Sequence, residues 1–153
     1  MFYVKTIYKM LCSENKDIHI FRLFLHKGSK SKPMNIEELR DYCMSVKGST
    51  ESLPFLKHNV LVFKVMEKMF AYIPLEPKDG VFRVNLKCDP EKSARLRERY
   101  AGVDETDFKT LTWNLVTLDS DVPDEAIKEQ VRHSVDEVIS KLSKKKREEY
   151  LNS

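Results

Sequence analysis

The sequence predicts an α+β fold, a two-layer arrangement of helices on an antiparallel sheet in the order helix, three or so strands, helix, one or two strands, helix. Three observations predict it. Apolar residues recur at helical spacing in three segments of the main body, and β-rich runs lie between those segments. The clearest run, Val81–Lys87, alternates in polarity, the pattern of a strand with one packed and one wet face. A chain of 153 residues has room for one domain, and 41% apolar against 33% charged residues describes a soluble globular protein with a modest core.

The first segment reads as an extension. Val4, Ile7, Tyr8 and Leu11 recur at helical spacing, and Ile18 to Leu25 reads as a short strand. Gly28-Ser29-Lys30-Ser31-Lys32-Pro33 is a flexible basic linker that continues neither element. Lys and acidic residues interrupt every apolar stretch here, so a secretory signal is not expected. Residues 1–33 are either a native extension or upstream sequence before a natural start at Met34; residues 34–153 are the domain.

Asn35 opens the first helix of the domain as an N-cap three residues before Glu38, a variant of the capping box. Ile36, Leu39, Cys43 and Val46 form its apolar stripe, and Gly48 supplies the stop. Val60–Val65 and Lys68–Leu75 are β-rich runs joined tightly at Met66-Glu67, which predicts a hairpin. In Val81–Lys87, Phe82, Val84 and Leu86 share one face, while Arg83, Asn85 and Lys87 share the other. Asp89-Pro90-Glu91 starts the second helix, with Asp as cap and Pro at its first position, and Gly102 ends it. Trp113–Leu118 is a further strand. Asp121-Val122-Pro123-Asp124-Glu125 opens the third helix, whose core stripe is Ile127, Val131, Val135, Val138 and Leu142. Lys144-Lys145-Lys146-Arg147 can grip phosphate non-specifically, blunted by Glu148 and Glu149, and equally suits the C-terminal end of that helix, where cations offset the dipole.

Charge and cysteine usage narrow the function classes. The formal charge is +3, yet residues 1–33 hold seven Lys and Arg against only Glu14 and Asp17, so the remaining body is slightly acidic. Net charge therefore argues for no nucleic-acid role, which must rest on local patches. Cys12, Cys43 and Cys88 are odd in number and scattered, which fits a reducing cytoplasmic compartment better than a disulfide scaffold. The longest apolar run is far short of the ~18 residues a membrane span needs, and no membrane partner is expected.

Residues 34–147 resemble the MmcQ/YjbR family of small bacterial proteins, usually labelled DNA-binding. The matching stretches begin with Met34-Asn35-Ile36-Glu37-Glu38-Leu39-Arg40-Asp41-Tyr42-Cys43 and Val62-Phe63-Lys64-Val65 with Lys68-Met69-Phe70-Ala71. Val84-Asn85-Leu86-Lys87-Cys88-Asp89-Pro90-Glu91, Trp113-Asn114, Leu118-Asp119 with Asp121-Val122-Pro123-Asp124-Glu125, and His133-Ser134 complete the set. The resemblance implies a secretion-chaperone-like fold in the order α-β(3)-α-β(2)-α, a label of DNA binding, and no enzymatic signature. Two departures lower the DNA-binding expectation. Thr110-Leu111-Thr112 stands where the family pattern has a Lys-Lys-His run, and the hairpin tip, often glycine-rich, is Met66-Glu67.

The candidate nucleic-acid residues are Lys64, Arg83, Asn85, Lys87, Arg95, Arg99, Trp113 and Asn114. Alternation puts Arg83, Asn85 and Lys87 on one face, with Lys64 able to join them; Arg and Lys suit phosphates, and Asn a base edge. Trp113 and Phe108 offer a stacking surface for single-stranded bases. Lys92, Arg95 and Arg99 line one side of the second helix, diluted by Glu91 and Glu98. The plainer account makes these solvent-side residues of a one-sided sheet and Trp113 a core residue. The competing expectation is a protein-interaction module, docking a partner or a second copy through the sheet face or an edge strand.

Enzymatic and metal chemistry are not expected. The histidines (His19, His26, His58, His133) form no metal-spaced pair with one another or with a cysteine in sequence, and no cofactor is implied. His133 lies opposite the Val/Ile stripe with no carboxylate partner that sequence can place. Cys88 precedes a helix N-terminus, which can lower a thiol pKa, but no base is identifiable beside it. Four scattered glycines exclude a glycine-rich phosphate loop.

Overall fold

Asn35 caps helix α1 (Ile36–Met44) as its sequence context predicts. Its side chain accepts from the amides of Glu37 and Glu38, each at 2.9 Å, and Glu38 returns a bond to the Asn35 amide at 3.0 Å. The structure, a computed structural model, describes residues 32–55, 59–107 and 110–153. The expected helix from Val4 to Leu11, the strand from Ile18 to Leu25 and most of the basic linker lie outside the described residues. So do Cys12, His19, His26, His58 and Phe108.

Ile36, Leu39 and Cys43 of α1 are buried, and an Arg40–Glu51 ion pair ties the helix to strand β1 (Ser49–Phe55). That strand was not expected. Its sequence, STESLPF, shows no clean alternation and contains Pro54, a residue tolerated where a ladder bond is dispensable. Among the described residues the domain thus has four strands before the second helix rather than three: β1, β2 (Val60–Val65), β3 (Lys68–Pro74) and β4 (Arg83–Lys87). Helix α2 (Pro90–Arg99), β5 (Val103–Glu105), β6 (Trp113–Thr117), α3 (Asp124–Ser140) and α4 (Lys144–Asn152) follow. All pairings are antiparallel, in the order β1-β2-β3-β4-β6-β5.

The β2–β3 hairpin turns at Met66 (φ 49°) and Glu67 (φ 63°), both in the left-handed region that favours glycine or asparagine. A register shift between Phe63 and Lys64 leaves Phe70 as a bulge, so adjacent Phe70 and Ala71 are both buried and the Phe70 ring lies 6.2 Å from Phe63. The packed face carries Leu61, Phe63, Val65, Val84, Leu86 and Val116, and α3 lies across β3 and β4. Every member of the expected α3 stripe is buried. Ser134 fastens the helix to the sheet. Its Oγ accepts from the Lys87 amide at 2.8 Å and donates to the Phe70 carbonyl.

Within the stretch expected to open α3, the helix starts at Asp124, with Asp124 and Glu125 in its first turn, and the Asp121 carboxylate before it accepts from the amides of Ala101 and Gly102, each at 2.8 Å. A Cβ at Gly102 would collide with the Ser120 side chain, which is why glycine stands there. The lysine run, expected at the end of α3, is not part of that helix. Ser143 caps a separate α4, placing Lys144–Arg147 in its first turn, at the dipole's positive end. Arg147 reaches back to the Ser140 and Leu142 carbonyls, at 3.0 and 3.1 Å, and so still serves the C-terminus of α3.

Candidate functional site

Alternation along the central strands raises a second sheet face opposite α3. In register across it stand Val62, Tyr72, Asn85 and Leu115, with Lys64, Lys87 and Trp113 in the neighbouring row. The Tyr72 and Trp113 rings are tilted at 5.4 Å, and the Lys87 ammonium lies 5.4 Å from the Trp113 centroid. Burial, joined by the like charges of Lys141 and Lys68, lowers the Lys87 pKa. Burial, reinforced by Asp107, pushes the Tyr72 hydroxyl up to about 12. The arrangement is a half-buried aromatic pair with a cation laid on it.

The nominated residues divide. Lys64, Lys87 and Trp113 share this face, half-buried. Asn85 shares it too but is only 3% exposed, because its short side chain sits between Tyr72 and Leu115 on the flanking strands. The expectation of a wet Asn85 is therefore corrected. Arg83 is committed to the loop before β4, donating to the Lys78 carbonyl at 2.8 Å and the Val81 carbonyl at 3.3 Å. Arg95 pairs with Glu91 at 3.5 Å, and Arg99 lies over the Tyr100 ring at 5.1 Å; both are exposed on α2, apart from the sheet cluster.

Asn114 points the other way and is fully buried. Its Oδ1 accepts from Ser93 Oγ at 2.5 Å and Arg97 Nε at 3.0 Å, and Arg97 continues to the Trp113 carbonyl and Glu105. Asn114 thus anchors α2 on the sheet and is removed from any interface. Successive side chains of a strand alternate between faces, so the residue directly after Trp113 faces the packed side.

Sequence reasoning missed one cluster altogether. The Cys88 thiol, a carboxylate oxygen of Asp89 and a ring nitrogen of His133 lie within 4.8 Å of one another. His133 Nε2 is 3.1 Å from Asp89 Oδ2, so the carboxylate partner that sequence could not place is the α2 cap itself. The Asp89 amide also donates to Nε2 at 3.3 Å. The bond from the Lys92 amide holds the Asp89 pKa below its ordinary value, with His133 adding to the effect. Burial, then the adjacent carboxylate, pushes the Cys88 thiol up to about 11. Burial thus outweighs the lowering that a helix start can exert on a thiol pKa. No local signal could have found it, because Asp89 and His133 stand 44 positions apart; in the structure Glu129, one turn before His133 on α3, likewise meets Lys92 of α2 at 3.0 Å.

Comparisons with known proteins agree with this architecture. The YjbR family model matches residues 44–136. The YjbR proteins of two Escherichia coli strains are each 30% identical over 118 residues, covering 74% of this chain and 95% of their own. A Deinococcus radiodurans protein of the DUF419 domain superposes with a TM-score of 0.67 at 33% identity, over 75% of this chain and 86% of that one. A Pseudomonas syringae protein, at 23% identity and a TM-score of 0.57, shares the fold over 66% of this chain and 96% of its own. The family model spans the central strands and most of α3, and the curated relatives match over most of the chain: the chain belongs to the YjbR family.

Proposed function

We propose that the second sheet face binds single-stranded nucleic acid weakly, through base stacking and a few phosphate contacts. One observation carries the reading: the Tyr72–Trp113 pair with Lys87 against it, flanked by Lys64. Stacking on an aromatic platform tolerates any base, and nearby ammonium groups follow the backbone. Few cations are available, so affinity rests on stacking as much as on charge. The reading requires no catalytic step.

The test is fluorescence anisotropy of a labelled single-stranded oligonucleotide with the full chain, titrated at low salt. Trp113→Ala is expected to weaken binding by about 1–3 kcal/mol. Unchanged affinity in that variant, with its fold intact by circular dichroism, would overturn the proposal.

A protein-docking role for the same region is the second reading. Leu111, 60% exposed just before β6 where the family pattern carries a basic run, favours it. An anisotropy that stays flat at low salt, with a protein partner whose binding Leu111→Lys abolishes, would select it.

A further inference from the structure

We propose that Cys88, Asp89 and His133 form a binding site for a divalent transition-metal cation, zinc by the chemistry of its donors. Thiolate sulfur, imidazole nitrogen and carboxylate oxygen together are the set that zinc takes, and three protein donors leave its fourth position to water. The spacing suits a cation. Bonds of ~2.0–2.3 Å at a tetrahedral centre place donors about 3.3–3.6 Å apart. Asp89 Oδ2 and His133 Nε2 already stand 3.1 Å apart, and the whole triplet lies within 4.8 Å.

The donors are held by the fold rather than by chance proximity. Asp89 Oδ1 is occupied by the Lys92 amide at 2.9 Å, which orients Oδ2 toward His133. Ser134, the neighbour of His133, is bonded to both β3 and β4, so the imidazole is set against the strand end that delivers Cys88. Such outer bonds usually hold metal ligands in place. Cys88 is buried while the Asp89 side chain is 37% exposed, giving a deep sulfur and a route in from solvent. Binding exchanges the thiol proton for the cation and releases that proton to the buffer, and the His133 Nε2 lone pair leaves the Asp89 amide, 3.3 Å away, for the cation.

Titration of the full chain with cobalt(II), a spectroscopic stand-in for zinc, tests the site. Saturable uptake with a thiolate-to-cobalt charge-transfer band is expected, and zinc should displace it. Cys88→Ser should abolish the band, and Cys12→Ser should leave it intact. Asp89→Asn retains an acceptor for the helix cap while weakening ligation, so its affinity should fall about tenfold or more, as should that of His133→Gln. If Cys88→Ser does not fold, Asp89→Asn decides through affinity. Absence of the band, its survival in Cys88→Ser, its loss in Cys12→Ser, or unchanged affinity in Asp89→Asn would each overturn the site.

Discussion

Asn114 illustrates how one residue can be identified by pattern and still be given the wrong role. Its neighbour Trp113 faces the second sheet surface, whereas Asn114 holds Arg97 and Ser93 beneath α2. Asn114→Ala would leave a guanidinium N–H and a hydroxyl without their buried partner. A loss of about 2–3 kcal/mol in urea unfolding is expected, with oligonucleotide affinity unchanged wherever the protein stays folded. Cys43 makes a second residue-scale statement. Burial pushes its thiol from 9.0 to about 12. The unfolded thiol ionises first, so between about pH 9 and 12 the native state holds the extra proton and stability falls as pH rises. Cys43→Ala should flatten that alkaline decline in the urea midpoint. The effect at stake reaches about 4 kcal/mol.

Elements were legible where their signals are local. The capping box at Asn35, the α3 stripe and the hairpin all arise from residues a few positions apart, and the structure places each as expected. Strand β1 was illegible because its polar, Pro-containing sequence carries no alternation, and it becomes a strand by pairing with β2. The start of α4 was hidden because a lysine run fits either end of a helix until the break at Lys141–Ser143 is seen. The β2–β3 turn invites a test at this scale. Met66 and Glu67 both adopt positive φ with side chains that disfavour it. Replacing them with Asn-Gly should stabilise the protein by about 1–2 kcal/mol in thermal or urea melts; destabilisation would show that the native side chains contribute packing the turn needs.

For the whole molecule, charge separates the chain into unequal parts. The +3 total hides a basic first segment and a slightly acidic body. If the sheet face is the binding surface, residues 34–153 alone should retain oligonucleotide affinity and a shallow salt slope of about −0.7 per phosphate contacted. A steep slope that disappears when residues 1–33 are removed would assign the binding to the first segment. No described helix is long and apolar enough to cross a membrane.

The sequence by itself determined the class of the fold, most element positions, the buried stripe of α3 and the family. These depend on periodicity and on short motifs that act within a turn or a strand. Tertiary structure decided which polar residues are free to act. Asn85 and Asn114 are buried because neighbouring strands and α2 cover them, and Arg83 is taken up by its own loop. It also brought His133 to Asp89 across 44 positions, a meeting set by how α3 seats on the sheet. A one-dimensional pattern records which face a side chain takes; what lies against that face is fixed only when register and packing are complete.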